Sequence, residues 1–153
     1  MVAALAGGAP RAAGAGDAAS DRASLAGIRA FRVVVERLPP ETEKAAGLRR
    51  DDLQAHLESS LARAGIGVAG DAAAILYLNV ALACNGISCA YTIGLEVQQQ
   101  VRLERRPAAA PAFAATWSTG STGLTGRRAQ GLRDRVRDEA DRFAAAYRSV
   151  NPR

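Results

Sequence analysis

The sequence predicts an α+β protein, a two-layer sandwich in which a four-stranded, mostly antiparallel sheet carries two helices on one face. Three observations point to it. Cys89–Glu104 alternates apolar and polar residues along nearly its whole length, the mark of a strand covered on one side and wet on the other. Asp51–Ala64 and Gln130–Arg148 instead repeat their apolar residues with helical spacing. The segments follow the order β-α-β-β-β-α, so both helices can lie on the sheet's single apolar face.

Ile28–Leu38 is the first strand. Phe31, Val33 and Val35 fall on one side and Arg32 and Glu36 on the other, and Pro39-Pro40 ends the run. Glu41–Gly47 is polar without a period and reads as a loop. In the helix Asp51–Ala64, Asp51 or Asp52 can cap the first turn, where negative charge suits the helix dipole. Leu53, Leu57, Leu61 and Ala64 form its apolar stripe, and Gly65 is placed to end it in the left-handed conformation. Ile66 and Val68 then lead the chain back toward the sheet. If the first two strands run parallel, this crossover should be right-handed.

Ala74–Cys84 is the second strand, with Leu76, Leu78, Val80 and Leu82 facing one way and Tyr77 and Asn79 the other. In the third strand, Cys89–Glu104, the apolar row is Tyr91, Ile93, Leu95, Val97, Val101 and Leu103, broken only by Gln99. Thr92, Glu96, Gln98, Gln100, Arg102 and Glu104 form the opposite row. Arg105–Pro111 is a turn region. Ala112–Thr119 is a fourth strand with Phe113, Ala115 and Trp117 on one face, followed by a Gly-rich loop over Ser118–Gly126. The final helix carries Leu132, Val136, Phe143 and Tyr147 on one stripe. Its charges, such as Arg135 with Glu139 and Asp138 with Arg142, are spaced to offset each other on a solvated face. No internal repeat is visible, and the chain length of 153 residues predicts a single α+β domain over 25–152.

Residues 1–24 are almost entirely Ala, Gly, Ser, Asp and Arg and have no period. They read either as a disordered leader or as the remnant of a signal peptide. Met1–Pro10 is small and apolar, and Ala13-Gly14-Ala15 matches the A-x-A pattern of a cleavage site, but no positive segment precedes it. A true start codon further upstream would account for that.

Cys84 and Cys89 flank the loop Asn85-Gly86-Ile87-Ser88. If they stand opposite each other, Leu82 faces Tyr91, Val80 faces Ile93, Leu78 faces Leu95 and Leu76 faces Val97, so every apolar residue meets another. A two-residue Asn85-Gly86 turn also conserves the faces, but it leaves the sulfurs diagonal and disfavours a bond. A disulfide would therefore select the longer loop and would place the protein in an oxidising compartment, which favours export. The alternative is two reduced, partly buried thiols.

Composition narrows the function classes. The formal net charge is +5, yet Lys44 is the only lysine, which reflects arginine-biased composition more than a built basic surface. Aromatic residues make up 5%, leaving few platforms for stacking bases, so nucleic acid is disfavoured as a partner. No apolar run approaches the ~20 residues that cross a bilayer. No metal is expected, because a C-x4-C spacing supplies two ligands and only His56 could add a nitrogen. No nucleophile–base or P-loop signature is present, so neither catalysis nor a cofactor is expected.

Two surfaces remain as candidates. The uncovered sheet face of Tyr77, Asn79, Glu96, Gln98, Gln100 and Arg102 offers amide and charged groups on rigid strands, suited to a flat protein or glycan contact. The Gly-rich loop is the other. Gly120, Gly123 and Gly126 precede a helix, and their N–H groups with Arg127 and Arg128 could cradle a phosphate.

The run YTIGLEVQQQVRL within Val80–Leu103, the Ala114–Trp117 segment AATW, and the ending Phe143–Pro152 resemble small secreted bacterial proteins over most of residues 25–152. The element order is similar to the envelope α+β domain at the N-terminus of the Tol–Pal translocation protein and in outer-membrane lipoprotein activators of cell-wall synthesis. The resemblance implies a periplasmic or secreted domain that binds another envelope protein without catalysis. No lipobox cysteine is visible. The alternative expectation is a small-molecule or phosphate binder using residues 118–128.

Overall fold

The computed structural model describes residues 16–107, 109–126 and 130–152. The α+β class holds, with a mixed sheet of five strands and four helices among the described residues, where four strands and two helices were expected. The order is α1 (Ala19–Ala23), β1 (Ala30–Val35), α2 (Pro40–Ala46), α3 (Arg50–Arg63), β2 (Gly67–Val68), β3 (Ala74–Cys84), β4 (Ser88–Val101), β5 (Ala112–Gly126) and α4 (Gln130–Val150).

Across the sheet the strands run β2-β1-β3-β4-β5. β1 is parallel to both β2 and β3, and β3, β4 and β5 are antiparallel neighbours. The extra strand is the two-residue β2, where Gly67 passes so close to Arg29 that a Cβ would meet its carbonyl oxygen at 2.5 Å. Of the two extra helices, α1 lies in the segment read as a leader and α2 occupies the segment read as a loop. Pro40 suits its first turn and Gly47 ends it at φ 60°. α3 starts from Arg49 with no side-chain cap, so Asp51 and Asp52 contribute first-turn charge and not a capping bond. Gly65 ends it at φ 73°, as the sequence predicts.

The leader reading divides at Gly16. Residues 1–15, including the A-x-A pattern, lie outside the described residues. From Gly16 onward the chain is docked on the sheet, nine residues ahead of the expected start at Leu25. Asp17 accepts the buried Trp117 indole N–H at 2.8 Å and pairs with Arg22 at 2.6 Å. Ser118 donates its backbone N–H to the Gly16 carbonyl. Sequence reasoning placed Trp117 on one face of the fourth strand without seeing what would satisfy its nitrogen.

The hairpin register matches expectation pair for pair, from Leu76 opposite Val97 to Cys84 opposite Cys89. The sulfurs are bonded. Asn85 donates its N–H to the Ser88 carbonyl, which leaves the cysteines at a closely spaced position with Cα atoms 4.1 Å apart. The Asn85 side chain accepts from the N–H groups of Ile87 and Ser88 and shapes the loop.

β5 departs most from expectation. The segment read as a Gly-rich loop is the second half of this strand, paired with β4 through Gly126. Thr116 is an extra residue opposite the Val97–Gln98 step, and this bulge breaks the alternation. Trp117 is therefore buried, while Phe113, expected on the same face, is 55% exposed. Gln99, the residue that broke the apolar row, bonds to the bulge residue Thr116 and to the Ser24 carbonyl. β4 ends at Val101, and Leu103, read as part of the apolar row, is exposed.

One hydrophobic cluster fills the space between the sheet and the helices. At its centre Phe143 of α4 meets Phe31 and Trp117, each with ring centroids 5.2 Å away. Glu139 is buried in this layer and accepts from the Thr119 hydroxyl and from Arg142. The charges of α4 pair at three-residue spacing, as in Arg135–Asp138 and Arg137–Asp134. Among the described residues, no helix is long and apolar enough to cross a membrane.

Candidate functional site

The open face of the sheet follows from strand alternation. Where Leu76, Leu78 and Val80 point into the core, Tyr77 and Asn79 point away from it. The register sets Tyr77 opposite Glu96, Ile75 opposite Gln98 and Asn79 opposite Gly94. The register brings Tyr77, Asn79, Glu96 and Gln98 of the sequence-based face side by side. Gln100 lies further along β4, and Arg102 lies beyond the strand's end, so neither joins this cluster.

Glu36 belongs to it and was left out of the sequence-based face. Its N–H donates to the Leu78 carbonyl, which continues the β1 ladder, and its carboxylate accepts from the Asn79 amide. The signal was available, because Glu36 shares the parity of Arg32 on the first strand. It was hidden by not knowing which strand neighboured which. Gly94 was also missed. It has no side chain to fill the face, and Tyr77, Asn79, Gly94, Glu96 and Ser118 line a cleft of ≈ 400 Å³ there.

The polar groups of the cluster are held by one another. Gln98 donates to Glu96 at 2.5 Å, and Asn79 donates to Glu36. Burial raises the Tyr77 phenol above its usual range, and the Glu36 and Glu96 carboxylates push in the same direction. Tyr77 is therefore a neutral donor over the physiological range and not a base. The result is a fixed set of carboxylate, amide and phenol groups that can exchange hydrogen bonds with a partner surface.

The other sequence candidates separate. Gly120 and Gly123 are glycine for reasons internal to the sheet. A Cβ at Gly120 would meet the Ile93 carbonyl oxygen at 2.5 Å, and one at Gly123 would meet the Tyr91 hydroxyl at 2.9 Å. They sit in extended strand with Gly126 and not in a loop that wraps an anion. Arg127 and Arg128 lie outside the described residues. His56 is half-buried on α3, with its Nε2 unpartnered among the described residues. No group of metal-binding side chains assembles among the described residues. A larger cleft of ≈ 690 Å³ collects Arg37, Lys44, Arg49 and Arg50, but Glu43 and Asp51 share its lining and Arg50 is spent on the Val35 carbonyl.

The chain matches no protein-family model and no curated protein. Its function is therefore read from its own surfaces.

Proposed function

We propose that this chain is a non-catalytic binding module of the bacterial envelope, periplasmic or secreted, whose open sheet face docks another envelope protein. The observation that carries the reading is the interlocked cluster of Glu36, Tyr77, Asn79, Glu96 and Gln98, left uncovered on a rigid sheet. The bonded Cys84–Cys89 pair supports an oxidising compartment. Side chains already fixed by neighbours lose little freedom on binding, which favours a flat contact of this kind.

The test is retention of envelope proteins by the immobilised chain, compared with an E36K/E96K double variant. Specific retention by the wild type and loss in the folded variant support the reading. Equal retention by both removes the open face from it.

A further inference from the structure

The two edges of the sheet differ in a way that suggests a second contact. One edge is β2, two residues long. The other is β5, fifteen residues with no Lys, Arg, Asp, Glu or Pro from Ala112 to Gly126. Long uncharged edges are what natural sheets normally blunt, because their unpaired N–H and C=O groups template another strand.

The pairing defines which groups are free. The closely spaced Cys84–Cys89 pair turns the even residues of β4 toward β3 and the odd ones toward β5. Beyond the Thr116 bulge, from Trp117 onward, the odd residues of β5 therefore bond to β4, and its even residues point outward. The chain shows this edge in use, since the Ser118 N–H is taken by the Gly16 carbonyl and the Thr116 carbonyl by the Ser24 hydroxyl. Beyond Ser118 the outward positions are Gly120, Thr122, Leu124 and Gly126, and no described residue bonds to their outer edge. Leu124 is 78% exposed.

We propose that a second copy of the chain adds to this edge, antiparallel about a two-fold axis at Gly123. In that register Gly120 faces Gly126 of the second copy, and Thr122 faces Leu124 of the second copy. All the free outward positions are then used, giving about eight backbone hydrogen bonds. Shifting the register by two residues in either direction leaves about six. In this register Gly126 of the added strand meets Gly120, two residues from Ser118, where Gly16 takes over the edge. Ala112–Gly126 itself carries no charge that would oppose self-pairing. The open face with Tyr77 and Glu96 remains free in the dimer.

Sedimentation equilibrium of the full chain tests this. The expected result is a monomer–dimer equilibrium with Kd on the order of tens of micromolar, the strength of a small interface. Thr122→Pro removes an outward donor and no bond to β4, and Leu124→Lys adds a charge to the edge. Each should weaken the dimer at least about tenfold while leaving the monomer folded by circular dichroism. Val68→Lys, on the far edge, should leave it unchanged. A wild-type chain that stays monomeric to millimolar concentration overturns the proposal. So does a dimer that both folded β5 variants keep.

Discussion

Leu78 and Asn79 are adjacent in β3, yet one is sealed in the core and the other takes part in a hydrogen-bonded cluster on the open face. The same contrast runs through β4, where Leu95 is buried and Glu96 faces out. The covered side is held by apolar area and by the Phe31–Phe143–Trp117 ring contacts. The open side is held by polar groups that satisfy one another and add little to burial. The comparison teaches that the residues that bury apolar area and the residues proposed to dock a partner alternate along the same strands. Substitutions on the two sides should therefore separate cleanly.

The largest effect is expected at the centre of the covered side. Trp117→Ala should lower unfolding free energy by about 3–5 kcal/mol, read from urea denaturation, because it empties a fully buried site and removes one donor from Asp17. A loss below about 1 kcal/mol would mean that the ring cluster does not anchor this side. Next comes the hairpin end. Cys84→Ser with Cys89→Ser should cost about 2 kcal/mol, modest because the closed loop is short.

A smaller effect belongs to the N-terminal dock. The hydrogen bond from Arg22 holds the Asp17 carboxyl below its ordinary value; burial opposes it, and the Trp117 indole assists it. A depressed folded value means that Asp17 contributes stability above its unfolded value and loses it as pH falls through the folded one. Asp17→Asn should therefore destabilise at neutral pH, and the gap to wild type should close in acid below the usual carboxylate range. A gap independent of pH would show that the charge is not what holds Gly16–Ser24 in place. The smallest effect is expected on the open side, where Asn79→Ala and Gln98→Ala should each stay within about 0.5 kcal/mol of wild type.

Much of this division was legible in the sequence. Alternation in Ala74–Cys84 and Cys89–Glu104 indicated both faces, because strong period-two patterns tolerate no slip of one residue, while the choice between the two registers that conserve those faces hung on the Cys84–Cys89 bond. The parts that escaped have local physical reasons. Glycines in Ser118–Gly126 signal a loop by composition, but here the Ile93 carbonyl and the Tyr91 ring demand them inside a strand. The Thr116 bulge inverts a parity that no single-strand pattern reports. Glu36 joined the open cluster only once β1 was known to lie beside β3. Asp17 was assigned to a featureless leader because its role depends on Trp117, a hundred residues away in sequence.

The central claim, that the open side is the recognition surface, is tested most directly by site-specific photo-crosslinking in the producing cell. A crosslinking residue at Gln98 on the open face is compared with one at Arg137 on the exposed side of α4. The account predicts a discrete adduct of defined mass from position 98 and none from position 137. An adduct from position 137 alone, or from neither position, would contradict it.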